Sequence, residues 1–498
     1  MTTTQATKLQ ATKLRFRTQA FIDGKFVDSA DCRKYVTENP ATGKPLAEIA
    51  ECGAEDVERA VAAARRAADE GPWATMSPGD RKRILVRFAD LIDSHGEELA
   101  LTESLDVGKP ISDTRSLDIP ESAACIRWHA EAADKLYGQV APTGPGATAL
   151  VVREPVGVVG AIIPWNYPLQ MAAWKLGPIL ATGNAVVMKP ARVTSLSLLR
   201  TAELAAEAGL PPGVFNVVTG AGSVVGTAIA RHNAVDCVAF TGSTEVGRTV
   251  LAHSAETNLK RVALELGGKS PQVVMADAGD LGPVVENVAN AIFWNMGENC
   301  SAGSRLLVDR RIKDALLERL VEVVKRIWLV GDPLDETTRI GPMITREHME
   351  RVLSYIEIGR GEGASVITGG GRVLEKTGGY FIEPTIFDKA TNDFRIAQEE
   401  IFGPVLTVVT FDGEEEAIRL ANATEYGLAA SLYTSDVKTA HRMARAIKAG
   451  TVSVNCYSEG DLTTPFGGYK LSGFAGHDKS VHAHEQYTEL KTIWFNLD

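Results

Sequence analysis

Cys300 stands at the centre of Asn295 to Arg305, N-M-G-E-N-C-S-A-G-S-R, flanked by Gly297, Gly303 and small polar residues. A cysteine in a packed core has apolar neighbours in sequence. Glycines instead let the backbone approach a bound molecule and leave N–H groups free to point at it. A thiolate is a strong nucleophile, and near neutral pH it needs partial exposure and an electropositive surround. A single cysteine in a long chain is as a rule a buried apolar residue, so partners must come from elsewhere. Glu265, in L-E-L-G-G, is hemmed by Leu264, Leu266, Gly267 and Gly268. A carboxylate in an apolar surround has a raised pKa and can act as a general base; the alternative is a capping or salt-bridged acid. Asn166, in P-W-N-Y-P-L, can donate to a developing oxyanion or simply form the turn before Pro168.

Three further stretches suit a nucleotide. Phe240 to Gly247, F-T-G-S-T-E-V-G, follows a strand and opens a helix, where free N–H groups and the helix dipole favour phosphate. Its spacing is G-x-x-x-x-G, so the usual G-x-G-x-x-G pattern fails, and a tight strand–helix turn stays open. Lys189, in M-K-P, ends another strand, the place where ligands sit in open α/β sheets; it reaches ribose or phosphate, or is a solvated loop lysine. Glu400 precedes Phe402 by two positions in E-E-I-F-G-P, a carboxylate for a ribose diol and a flat ring beside it, or a helix end and a core aromatic.

The elements that must position these groups alternate. Residues 19–50 carry turn signals (Asp23-Gly24, Asn39-Pro40, Thr42-Gly43) and predict a hairpin entry. Helical spacing follows over 54–70, over 80–105 as one long helix, and over 113–137 with an interruption at Pro120. From Leu150 onward apolar strands, among them 185–188, 214–219, 237–240 and 262–266, alternate with helices. That pattern predicts an α/β fold with a parallel, doubly wound sheet. A second α/β series runs from Gly268 to Leu471, with strands at 272–275, 305–308 and 452–455. The end, T-E-L-K-T-I-W-F-N-L-D, alternates like an edge strand that completes its own sheet or pairs across subunits.

The 498 residues are 45% hydrophobic and 23% charged, ordinary globular composition for two or three domains. A net charge of -11 argues against a general nucleic-acid surface. The 6 cysteines show neither a disulfide framework nor a C-x-x-C metal spacing, so no metal is expected and a reducing, cytoplasmic setting is. No apolar run reaches the roughly 18 residues that span a bilayer, so no membrane partner is expected. Residues 1–18, Thr-rich and basic without a clear amphipathic stripe, are expected to form a flexible tail.

A thiol, a carboxylate, an oxyanion donor and a dinucleotide platform together make a set for oxidising an aldehyde. The chain resembles the NAD(P)-dependent aldehyde dehydrogenases from about Phe21 to its end. The likeness rests on seven motifs in the family's order: P-W-N-Y-P-L, M-K-P, F-T-G-S-T-E-V-G, L-E-L-G-G-K, G-E-N-C, E-E-I-F-G-P and P-F-G-G-Y-K-L-S-G. The ending S-G-x-x-G-H-D-K-S-V-H-A-H-E-Q-Y-T-E-L-K-T-I-W is similar to the bacterial branch acting on γ-glutamyl-γ-aminobutyraldehyde and 4-guanidinobutyraldehyde.

The resemblance implies a Rossmann-type cofactor domain (19–135 and 158–266), an α/β catalytic domain (267–478) and a small β oligomerisation element (136–157 and 479–498) in a homodimer or homotetramer. It implies Cys300 as nucleophile, Asn166 and the Cys300 N–H as oxyanion donors, Glu265 as water-activating base, and Asp478 in a proton relay. Cofactor contacts would come from Ile162, Ile163, Pro164, Trp165, Lys189, Arg192, Gly226, Thr241, Gly242, Ser243, Val246, Leu266, Gly267, Glu400 and Phe402. Arg192 stands where NAD-preferring relatives carry a carboxylate. An arginine can bind a 2′-phosphate, so NADP is expected to serve at least comparably to NAD. The substrate would meet Tyr167, Gln170, Met171, Trp174, Asp118, Glu121, Tyr457, Glu459, Asp461 and Phe466. Acids among aromatic faces suit a cationic tail, hence an ω-amino, γ-glutamylamino or guanidino aldehyde. The rivals are an uncharged aldehyde, an anionic semialdehyde, for which no basic anchor stands out, and a cysteine acyl transferase, which Glu265 disfavours.

Overall fold

The structure, a computed structural model, describes residues 3–498. The first sheet has eight strands. Its central strands Arg261–Glu265, Cys237–Thr241, Val158–Ile162, Ala185–Lys189 and Phe215–Val217 lie in that spatial order and run parallel. Their unbroken runs of valine, isoleucine and alanine are buried, as a sheet covered on both faces requires. The chain winds outward from Val158–Ile162 to Phe215–Val217, then returns to lay Cys237–Thr241 on the other side of Val158–Ile162. Winding reverses at that pair, and such a reversal leaves a crevice beyond the strands' carboxyl ends.

The hairpin Ala20–Ile22/Lys25–Val27 forms one edge of this sheet. Gly473–Phe474 closes the other by pairing antiparallel with Leu264 and Glu265. A dipeptide that the expected division puts with the catalytic region thus completes the cofactor sheet.

The second sheet has seven strands: Ser365–Thr368, Thr385–Asp388, Val405–Phe411, Arg305–Asp309, Pro271–Val274, Ala429–Tyr433 and Thr451–Val454. Thr385–Asp388, Val405–Phe411 and Ala429–Tyr433 escape the sequence reading because Thr385, Thr407, Thr410 and Ser431 shorten or interrupt their apolar runs. The short link 266–270 joins the last long strand of the first sheet to Pro271–Val274, so Glu265 sits where the two sheets meet.

Two helical expectations are corrected. The helix expected over 80–105 is two, Pro78–Ser94 and Gly96–Val107, broken at His95, whose Nδ1 meets the Leu91 carbonyl at 2.9 Å. Over 113–137 a π-helical turn, Thr114–Asp118, leads into Ile119–Ala132. Pro120 lies in the first turn of that helix, where its missing N–H costs nothing.

The third sheet pairs Thr488–Asn496 antiparallel with Ala147–Pro155, and Gln139–Ala141 with the latter. The terminal strand therefore finds a partner within its own chain. The start of the chain differs from the flexible tail expected: Thr3–Ala11 is a helix. Polar contacts rather than an apolar stripe hold it: Thr7 is buried, and Lys8 pairs with Asp332 at 2.7 Å. Residues 1–2 of that tail lie outside the described residues.

Candidate active site

Cys300 reaches its place through a tight turn. Asn295, Met296 and Gly297 all adopt positive φ (50°, 58° and 70°), and a Cβ on Gly297 would lie 2.3 Å from the Gly403 carbonyl oxygen. Backbone held in this region is costly for non-glycine residues and collects at functional sites. Side chains stitch the turn: Asn166 Nδ2 donates to the Glu298 carbonyl at 2.9 Å, and Asn295 Nδ2 donates to the same oxygen at 2.9 Å. The thiol is half-buried, with Asn299 Oδ1 at 3.8 Å.

Cys300, Glu265, Asn166, Met171, Gly267, Glu400 and Phe402 line one cavity. The expected electropositive surround is absent. Burial first, then the Glu265, Glu459 and Glu400 carboxylates, push the thiol well above its ordinary pKa. The Glu265 carboxyl is likewise held well above the usual carboxylate range, by burial and then by Asp478, while a hydrogen bond from Cys300 opposes this. A thiol beside a base of raised pKa can pass its proton directly, which replaces activation by a cation. Behind Glu265, Asp478 is paired with Lys175 Nζ at 2.6 Å, both nearly solvent-free.

The cavity shares Pro164, Trp165, Thr241, Gly242 and Ser243 with a cleft of about 710 Å³ in the crevice of the first sheet. That volume suits a large cofactor. Ile162, Ile163, Lys189, Arg192, Gly226 and Val246 are also on its walls. Ser243 caps the helix Thr244–Ala255, and its Oγ accepts from the Val246 N–H at 3.4 Å. Burial lowers Lys189 to about 8, and its Nζ donates to the Pro190 carbonyl at 2.7 Å. Three observations fit a dinucleotide: a Cβ on Gly222 would meet nothing within 4 Å, the buried Thr241 Oγ1 has no partner, and a helix N-terminus faces the cleft. At the inner end Glu400 accepts from the Gly268 N–H at 2.9 Å, and burial raises it to about 7. Phe402, at φ 60°, packs on Trp165 with centroids 5.3 Å apart. Leu266 is the exception among the expected cofactor residues. Its side chain packs beneath the helix, where a Cβ on Gly247 would lie 2.7 Å from it, because the strand end turns it away from the crevice.

A second opening reaches the thiol loop from the far side. Glu121, Gln170, Trp174, Tyr457 and Glu459 line it, together with Trp294 and Lys479. Asn299 connects it to Cys300, donating to Tyr457 Oη at 2.9 Å and to Glu459 Oε1 at 3.1 Å. Gln170 donates to Glu121 at 2.6 Å.

Four expected substrate residues lie elsewhere. Asp118 is fully buried and paired with Lys109, because the π-helical turn rotates it inward. Asp461 caps its own turn, accepting from the Thr463 N–H at 2.7 Å. Phe466 is buried behind Trp174. Tyr167 is buried beneath Lys109, whose Nζ lies 3.8 Å from the ring centroid.

Residues the sequence reading missed complete the site. Lys175 had a signal, a charge inside an otherwise apolar helix. His348, which donates to the Phe402 carbonyl at 2.6 Å, and Glu298, which accepts from the Ile344 N–H at 3.0 Å, had none in spacing. Lys479 is the basic group that the semialdehyde reading lacked. Its Nζ donates to the Glu459 carbonyl at 2.7 Å and lies 5.1 Å from the Trp174 ring.

Two α/β sheets meeting at a thiol beside a carboxylate, with a dinucleotide-sized crevice on one side, are an arrangement suited to an oxidoreductase. The aldehyde dehydrogenase family pattern matches residues 26–493, and the chain belongs to that family. It is 53% identical to an aminoacetaldehyde dehydrogenase of Pseudomonas aeruginosa over 96% of this chain and 95% of that one. It is 47% identical to an NADP/NAD-dependent aldehyde dehydrogenase of Escherichia coli over 98% of both. The crystal structure of a γ-glutamyl-γ-aminobutyraldehyde dehydrogenase from Burkholderia cenocepacia superposes with a TM-score of 0.98 at 52% identity, over 100% of both chains. The chemistry is the NAD(P)-linked oxidation of an aldehyde.

Proposed function

We propose that the aldehyde carries an ammonium or guanidinium group, alone in an ω-amino or guanidino alkyl aldehyde and beside a carboxylate in a γ-glutamylamino one, and that Cys300, Glu265 and Asn166 carry the reaction. The observation behind the substrate class is the opening opposite the cofactor cleft, where Glu121 and Glu459 outnumber Lys479, whose ammonium is taken up by the Glu459 carbonyl, among Trp174, Trp294 and Tyr457. Acids and aromatic faces attract a cation.

Glu265 takes the Cys300 proton, and the sulfur adds to the carbonyl carbon. The second N–H of Asn166 Nδ2 and the Cys300 backbone N–H hold the oxyanion of the thiohemiacetal. When bound, the nicotinamide dinucleotide supplies the hydride acceptor, with Glu400 and Phe402 at that end of the cleft and Lys189, Arg192 and Ser243 along the rest. Loss of hydride from carbon leaves a thioester on Cys300. Lys175 and Asp478 lead the Cys300 proton away from Glu265, which is then free to take a proton from water as the water attacks the thioester; returning that proton to the departing sulfur releases the acid and restores the thiol. The sum is aldehyde, water and NAD(P)+ going to acid, NAD(P)H and a proton.

The test is kcat/KM for 4-aminobutanal against butanal. We expect the amine to raise it at least tenfold, about 1.4 kcal/mol of recognition; equal values overturn the cationic reading. A second reading, an uncharged aromatic aldehyde, is favoured by the same three aromatic residues and would show as a preference for phenylacetaldehyde over 4-aminobutanal.

Assembly and setting complete the proposal. Leu490 and Trp494, on one face of the terminal strand, are each 63% exposed. An apolar strand face so open marks a contact between copies, so we infer a homodimer or homotetramer. All six cysteines are free, the nucleophile among them, which suits the reducing cytoplasm.

A further inference from the structure

Arg192 is not a free arginine at the mouth of the cofactor cleft. Its Nη2 and Nε donate to Glu51 Oε2 at 2.8 and 3.2 Å, and its guanidinium lies over the Tyr35 ring, 4.5 Å from the centroid. The other oxygen of Glu51 accepts from the Ala221 N–H at 3.2 Å, one residue before the turn Gly222–Gly226 that lines the cleft. Tyr35 lies on the strand Lys34–Asn39, and Glu51 directly follows its hairpin partner Lys44–Ala50. The N-terminal hairpin thus holds Arg192 from below and from the side. The Glu51 side chain is only 15% exposed, so its charge is poorly screened.

We propose that Glu51 is the residue that sets the balance between the two dinucleotides. Building on the cofactor placement above, it returns a carboxylate to the adenosine-ribose end of the cleft, where position 192 carries the opposite charge. A 2′-phosphate that reaches the remaining N–H donors of Arg192 meets a guanidinium whose charge is already paired, and it lies beside the Glu51 carboxylate, which repels it. A 2′-hydroxyl leaves the pair intact. Glu51 therefore opposes NADP and is indifferent to NAD, and Arg192 alone overstates the affinity for NADP. Glu51 acts through Arg192 and is a positioning residue.

The test is calorimetric titration of the full-length protein with NADP+ and with NAD+, without aldehyde, for wild type and Glu51→Gln. Glutamine keeps an acceptor for the Ala221 N–H and removes the charge. The Kd for NADP+ should fall about fivefold, the upper range for a partly exposed ion pair, with NAD+ shifting less than about twofold. In turnover the KM for NADP+ should fall with kcat unchanged. Equal shifts for both dinucleotides, or none for NADP+, overturn the proposal. If the glutamine variant does not fold, Glu51→Asn serves: it is also uncharged and should likewise tighten NADP+ selectively, and an unchanged NADP+/NAD+ ratio is equally fatal. A wild type that binds dinucleotide but forms no NAD(P)H would instead refute the catalytic reading and leave this one standing.

Discussion

Burial and then nearby carboxylates, Glu265 first among them, push the Cys300 thiol up; burial and then Asp478 push the Glu265 carboxyl up, against a hydrogen bond from Cys300. The sign of the pH dependence follows. Glu265 works as a base only when deprotonated, and its pKa lies above the ordinary carboxylate range, so turnover rises with pH through that shifted value. The acidic limb of the kcat profile should lie well above the usual glutamate value of about 4.3; a limb near that value would contradict the assignment. Glu265→Gln leaves an oxygen and an amide where the base stood. Steady-state turnover should fall by about 10²–10⁴. If acylation survives the change better than hydrolysis, rapid mixing will show a first-turnover burst of NAD(P)H absent from wild type.

At the scale of elements, buried acids fasten helices to one another. Asp106, near the end of Gly96–Val107, accepts from the Leu196 N–H at 3.1 Å and from Thr37 Oγ1 at 3.0 Å. It joins one helix to the start of another and to the N-terminal hairpin. Asp106→Ala leaves those donors buried and unpaired, a loss of about 2–3 kcal/mol. Burial raises the Asp106 pKa to about 7. Because the folded value exceeds the unfolded one of about 3.9, the stability contributed by this carboxyl is complete below about pH 4 and erodes up to about pH 7. The gap in Tm between wild type and Asp106→Ala should therefore be wider at pH 5.5 than at pH 8. A gap that widens toward alkaline pH would show that the carboxylate, not the acid, is the folded form. The π-helical turn Thr114–Asp118 shows why such acids deceive a sequence reading: one extra residue per turn rotates Asp118 from the channel onto buried Lys109 while Glu121 keeps its place at the opening.

At the scale of the molecule, the third sheet leaves Leu490 and Trp494 largely open on one face of its terminal strand. Replacing Leu490 and Trp494 together by aspartate removes the apolar contact without touching either nucleotide cleft or thiol. Light scattering after gel filtration should then report a smaller assembly than wild type. An unchanged mass would place the subunit contact elsewhere. The same sheet carries Ala147–Pro155, which runs into the core strand Val158–Ile162, so assembly and cofactor sheet are continuous in the chain.

The groups proposed to make and break bonds could be picked out in the chain, because Cys300, Glu265 and Asn166 each sit in a local glycine- or proline-marked turn, and the structure brings all three to one cavity. The parallel character of the first sheet was legible for a similar reason: a strand buried on both faces must be apolar throughout. What only the tertiary structure decided are matters of long-range contact. Burial among carboxylates makes the thiol a poor acid; hairpin residues some 140 positions away clasp Arg192 through Glu51; Lys479 arrives at an opening otherwise acidic; and Gly473–Phe474 crosses from one sheet to the other. A local pattern records which groups are present and how the chain turns around them. Charge pairing and dielectric depend on what the folded chain brings within a few ångströms, and no spacing in sequence encodes that.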